Sequence, residues 1–106
     1  MALIASLPIA AASPAATPAS ARSISLTSAI DCARLEARPL AASALSESVI
    51  AYQAVRACEG GLDFLKAQAD NADSDRERAT TTSLRLAYLD RMREEARATV
   101  REQRGR

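Results

Sequence analysis

In three stretches, from Leu26 to Leu40, Ala51 to Leu65 and Leu84 to Val100, apolar residues return every third or fourth position, and no stretch alternates apolar with polar residues at period two. A helix comes back to the same face at that spacing, whereas a strand needs a period of two. Glycine is also rare, 3 of 106 residues, so the turns of an antiparallel sheet would lack their usual residue. These features predict an all-α chain, and the length allows a single small domain. His and Trp are absent and aromatics are 3%. A core must therefore come from Ala, Leu, Ile, Val and Met.

Three helices are expected. The first covers residues 28–38. Ser28 with Asp31 three residues on is a capping pattern. Leu26, Ile30, Ala33, Ala37 and Leu40 fall along one side, and Pro39 is expected to end the helix by excluding the helical conformation at Arg38. The second covers residues 46–69, with Ala51, Ala54, Val55, Cys58, Leu62 and Leu65 on one face. Gly60 and Gly61 interrupt its sequence, yet the stripe keeps its phase across them. A continuous or kinked helix is expected, with bare backbone admitting a neighbour beside Cys58; a break is the alternative. The third covers residues 75–103. Ser74 and Glu77 form an S-x-x-E capping box, and Leu84, Tyr88, Met92, Ala96 and Val100 recur every four residues, with Leu89 beside them.

The segment "MALIASLPIAAASPAATPASARS" carries no charged side chain before Arg22. Residues 3–12 have the length of the apolar region of an export signal. Pro14 and Pro18 are expected to keep the following segment extended. Ala19 and Ala21 give the small-x-small pattern of a signal peptidase site ahead of Arg22, and a second candidate cut follows Ala12. This reading divides the chain into a leader, residues 1–21, and a domain, residues 22–106. No Lys or Arg precedes the apolar run, so its amino-terminal charge is either the terminal amine or belongs to a start upstream of Met1. The alternative is a disordered Ala/Pro/Ser tail. Three prolines interrupt the segment, which argues against a transmembrane anchor.

Compartment decides the meaning of the two cysteines. After cleavage about 85 residues remain, a size at which the hydrophobic core alone contributes only a few kcal/mol. In an oxidising compartment Cys32 and Cys58 read as a disulfide. Two buried free thiols in a cytoplasmic protein are the alternative. A metal site is less favoured, since two thiolates without His cannot complete a tetrahedral zinc centre unless carboxylates join them. Asp73, Asp75 and Glu77 evoke a calcium loop, but Arg78 and Leu84 occupy the positions that need Gly and Glu. No metal ligand set and no cofactor site are expected.

Charge divides along the chain. Residues 40–75 hold two basic side chains against six acidic ones, net −4, and residues 76–106 hold nine arginines against five acids, net +4. Pairing of the second and third helices as a long antiparallel hairpin follows. A basic helix can also serve nucleic acid or an anionic membrane, but here the acids are interspersed and no aromatic stacking platform exists. Catalysis has little support: there is no His for proton transfer, no G-x-S-x-G, no phosphate loop and no H-E-x-x-H. Glu94 and Glu95 are adjacent on a helix and diverge by about 100°, so they read as a solvated face rather than a carboxylate pair.

The stretches "AIDCARLEARPL" and "IAYQAVRACEGGLDFL", behind an Ala-rich leader, resemble the small exported two-cysteine helical proteins of high-GC Gram-negative bacteria. The likeness spans residues 30–65 and rests on cysteine spacing and alanine pattern. It implies a periplasmic or secreted protein, and it carries over no functional residue. The expected function is interaction: a periplasmic binding, inhibitor or accessory protein with a protein partner. The competing class is a cytoplasmic regulatory or nucleic-acid-associated helical protein with a disordered tail.

Overall fold

A computed structural model of the chain describes residues 18–106, with side chains from Leu26 onward. The apolar run of residues 3–12 and the alternative cut after Ala12 lie outside the described residues. Helix α1 spans Pro18–Leu40 and α2 spans Glu47–Cys58. A 3-10 turn, Glu59–Leu62, joins α2 to α3, Asp63–Asp70, and α4 spans Asp75–Arg104. No strand occurs among the described residues, and the chain is all-α. The 3-10 turn and α3 carry α2 onward, so the architecture is three helical rods.

The direction of each rod follows from its partners. Glu47, at the start of α2, meets Arg97 and Arg101 near the end of α4, while Glu59 meets Arg85 further back. Residue numbers rise on one rod as they fall on the other, so these rods are antiparallel. Arg34 of α1 meets Glu95, and the loop carbonyl of Ala41 meets Arg104. Here the numbers rise together, and α1 runs parallel to α4.

Two helix starts are set by side chains. Ser46 accepts from the backbone N–H of Val49 at 3.2 Å, and Ser74 accepts from that of Glu77 at 3.1 Å. Both satisfy amide donors that the helix itself leaves open. Ser28 plays no such part, because α1 begins ten residues earlier and Ser28 lies exposed in its interior. Pro18 opens this helix rather than extending the chain. A first-turn proline loses no hydrogen bond there, and its fixed φ suits the helix. At the other end Pro39 does not stop α1. It lies in the last turn, which closes with Ala41 N–H donating to Ala37 O at 3.2 Å and Ser43 N–H to Leu40 O at 2.9 Å.

The second rod follows the expected stripe: Ala51, Ala54, Val55, Cys58, Leu62 and Leu65 are all buried. The third follows it in part. Met92, Ala96 and Val100 are fully buried, Tyr88 and Leu89 are half-buried, and Leu84 is exposed. On α1 Ala33 and Ala37 are buried as expected, but Ala29 and Ala41, rather than Leu26, Ile30 and Leu40, complete the buried face. Ala29, Ala33, Ala37 and Ala41 form it, at intervals of four, while Leu26, Ile30 and Leu40 pack along its edges. Every fully buried large side chain of the described residues, Ile50, Leu62, Leu65, Met92 and Val100, belongs to the other two rods. A buried alanine methyl contributes about 0.8 kcal/mol, so α1 gains little apolar burial per residue.

The glycines do not admit a neighbour. Gly60 and Gly61 are exposed, and a methyl group built on Gly60 meets nothing closer than Asp63 Oδ2 at 3.9 Å. They sit in the 3-10 turn, where the rod tightens without losing its stripe. Gly60→Ala should therefore stabilise the protein by about 0.5–1 kcal/mol, mostly by restricting the unfolded chain. Urea unfolding of the oxidised variant measures this, and a loss of stability would restore the close-packing explanation.

Candidate interaction face and cysteine staple

Cys32 lies midway along α1 and Cys58 ends α2. Their sulfur atoms stand 2.05 Å apart, at disulfide distance, and their Cα atoms are 5.8 Å apart. With α1 running on through Pro39, Cys32 lies about 12 Å and Cys58 about 17 Å from the loop at the helical rise. Cys58 is buried and Cys32 is half-buried.

Ala19, Ala21 and Arg22, the residues of the expected cleavage site, belong to the first turns of α1 by their backbone. The helix thus runs across the expected boundary between leader and domain. Cleavage after Ala21 would shorten α1 by one turn, and the first buried side chain among the described residues is Ala29.

The charge division becomes a set of specific clasps. Arg34 donates from Nε to Glu95 at 3.1 Å and also pairs with Asp31. Glu95 accepts from Arg91 as well. The carboxyl of Glu95 is held below its ordinary range, first by the hydrogen bond from Arg34 and then by that from Arg91, against the opposing effect of burial. Glu95 is therefore a bridging residue and not part of a solvated face, whereas Glu94 is exposed. Glu47 is likewise held low, first by Arg101 and then by Arg97. Arg104 does what no charge count reveals: its guanidinium donates to the carbonyls of Ala41, Ser43 and Leu45, fixing the loop after α1. An arginine four residues from a carboxylate suggests a partner in a sequence, but bonds to loop carbonyls leave no such mark.

These depressed carboxyls fix the direction of a pH effect. Each binds its proton less readily in the folded chain than in the unfolded one. The stabilisation is present in full above about pH 5 and disappears as pH falls through the lowered folded values. Stability should stay level from pH 7 to about 5 and decline below about 4. Both clasps are partly exposed, so the effect is modest and salt weakens it. Denaturant melts across this range, with Glu95→Gln as comparison, test the assignment; an unchanged acid slope in that variant would remove Glu95 from it.

On the face of the α2–α4 pair, a groove of about 190 Å3 is lined by Tyr52, Val55 and Leu89, with Arg56, Glu59 and Arg93 at its rim. Tyr52 is 60% exposed, and exposed Val49 precedes it by three residues on the same side of α2. Exposed Leu86 stands three residues before Leu89 on α4. An aromatic ring and aliphatic side chains in water, bordered by arginines, are the composition of a protein-binding surface. The sequence marks Val55 and Leu89 as stripe residues but not as parts of a groove, because Tyr52 falls outside the buried stripe and a lone exposed tyrosine gives no signal until Leu89 is placed beside it.

Among the described residues, no helix is long and apolar enough to cross a membrane. No family model matches the chain, and no characterised protein or solved structure matches it either.

Proposed function

We propose that this chain is an exported helical interaction module, held by the Cys32–Cys58 disulfide, that binds an apolar, acidic segment of a partner protein in the groove between α2 and α4. The groove itself carries this reading: Tyr52, Val55 and Leu89 supply the apolar floor, with arginines at the rim. Arg56 and Arg93 border it against Glu59 alone, so the excess charge of the rim is positive and favours an acidic partner. Export is supported by the leader and by a cysteine pair at bonding distance. The nucleic-acid alternative has less support, because acids are interspersed among the arginines of residues 76–106 and aromatics are only 3% of the chain.

A photoreactive amino acid at position 52, in the native host, tests the groove. It should crosslink to one protein, through a segment that peptide mapping finds both apolar and acidic. Leu89→Arg should abolish the adduct, and a probe at exposed Thr80 should not form it. Absence of an adduct at position 52, or one to a basic segment or to nucleic acid, would overturn the reading. Export is tested separately by intact mass and amino-terminal sequencing: a start at Arg22 or Ser13 with both thiols oxidised is expected. A start at Met1 or Ala2 with free thiols would place the chain in the cytoplasmic class.

A further inference from the structure

Three features of α1 belong together. Its buried face is made of Ala29, Ala33, Ala37 and Ala41, and the large core side chains lie elsewhere. Its covalent link to the hairpin is the single pair Cys32–Cys58, in its middle. Its remaining described clasps are polar and partly exposed: Arg34 on Glu95, and Arg104 on the loop that follows. The hairpin of α2, α3 and α4, by contrast, holds Ile50, Leu62, Leu65, Met92 and Val100, and closes through Glu47 with Arg97 and Arg101.

We propose that α1 is a redox-released lid. In the oxidised chain it covers the core cluster that includes Ile50, Ala54, Leu62, Met92 and Ala96. A dithiol reductant opens it. One reductant thiolate attacks Sγ of Cys32, the more exposed of the two residues. The Cys32–Cys58 bond breaks, a mixed disulfide forms on Cys32, and Cys58 leaves as a thiolate that takes up a proton. The second reductant thiol then attacks its own partner sulfur in the mixed disulfide, closing the reductant's disulfide and freeing Cys32 as a thiol. Two electrons and two protons pass from the dithiol to the cysteine pair. Without the link, α1 is retained by its alanine face, by the partly buried Leu26, Ile30 and Leu40 along its edges and by partly exposed ion pairs, whereas the hairpin keeps its fully buried large side chains and its own clasps. A face of small residues suits this role: it lets the lid lie close when closed and gives it little apolar burial to lose when it leaves.

Amide hydrogen exchange of the full chain, oxidised and after reduction by a dithiol, reads the device directly. Residues 29–41 should lose protection by at least about tenfold on reduction, while residues 50–58 and 92–100 change by less than about threefold. Reduced Cys58, buried in the oxidised fold, should react with a maleimide at the rate of the opening measured in α1. Cys32→Ala/Cys58→Ala should reproduce the exchange pattern without reductant. Loss of protection in all three rods together would show that the staple serves the whole fold and not a lid. Unchanged protection in residues 29–41 would show that the alanine face suffices to hold α1. Either result overturns the proposal.

Discussion

Reduction of the Cys32–Cys58 pair should lower stability by about 3.5 kcal/mol, and Cys32→Ala, Cys58→Ala and the double variant should all fall to about the same level. The estimate is the chain entropy of a loop closed by residues 26 apart. It applies to every state in which α1 has left the hairpin, the fully unfolded chain included. For a domain of this size each kcal/mol moves the thermal midpoint by several degrees, so the oxidised and reduced forms should melt more than about 10 °C apart. The equality of the variants is the sharper part of the expectation. Removing either sulfur destroys the same bond, and removing the second has nothing further to break. Markedly unequal single variants, or a double variant worse than both, would mean that each cysteine acts by its own packing. Denaturant titrations of wild type with and without reductant, beside the three variants, decide it.

What was legible in the sequence follows the size of the side chains involved. The second rod was read correctly because Val55, Leu62 and Leu65 are large and leave one face to bury, and Ser74 announced its helix start through the spacing that capping requires. On α1 the same reasoning placed Ala33 and Ala37 on the buried face, where they are, but put Leu26, Ile30 and Leu40 beside them and missed Ala29 and Ala41. Small side chains let two helices lie close, and the larger residues seal the edges. Periodicity weighs apolar character and has no measure of how near a partner comes. The prolines failed for a related reason. Pro18 sits in the first turn, where its missing N–H would have had no partner in the helix, and Pro39 sits in the last, where it forgoes one bond, to the carbonyl of Leu35, with only Leu40 of the helix beyond it. The opposed charges of the two halves were visible, and they materialise as Glu47 with Arg97 and Arg101, and Glu59 with Arg85. The groove at Tyr52 and the loop clasp of Arg104 were not, because both depend on which helix faces stand side by side.

Met92 and Leu84 separate pattern from packing most cleanly. Both belong to the same four-residue recurrence on the last helix, and by spacing alone they are equivalent. In the fold Met92 is completely buried while Leu84 is 38% exposed. The reason is positional. Met92 packs in the cluster where all three rods contribute, with α1 supplying its alanines. Leu84 lies toward the start of α4, eight residues before Met92 and so about 12 Å away along the axis. Truncation of a buried methionine removes its transfer free energy and leaves a cavity that close-packed helices cannot collapse. Met92→Ala should cost about 3 kcal/mol, a large share of the stability of so small a domain, whereas Leu84→Ala should cost less than about 1 kcal/mol. Met92→Leu, which nearly conserves volume, should recover most of the loss. Chemical denaturation of the three oxidised variants measures this ordering. Equal losses at positions 84 and 92 would mean that the recurrence marks one continuous buried stripe and that α1 covers the last helix along its whole length.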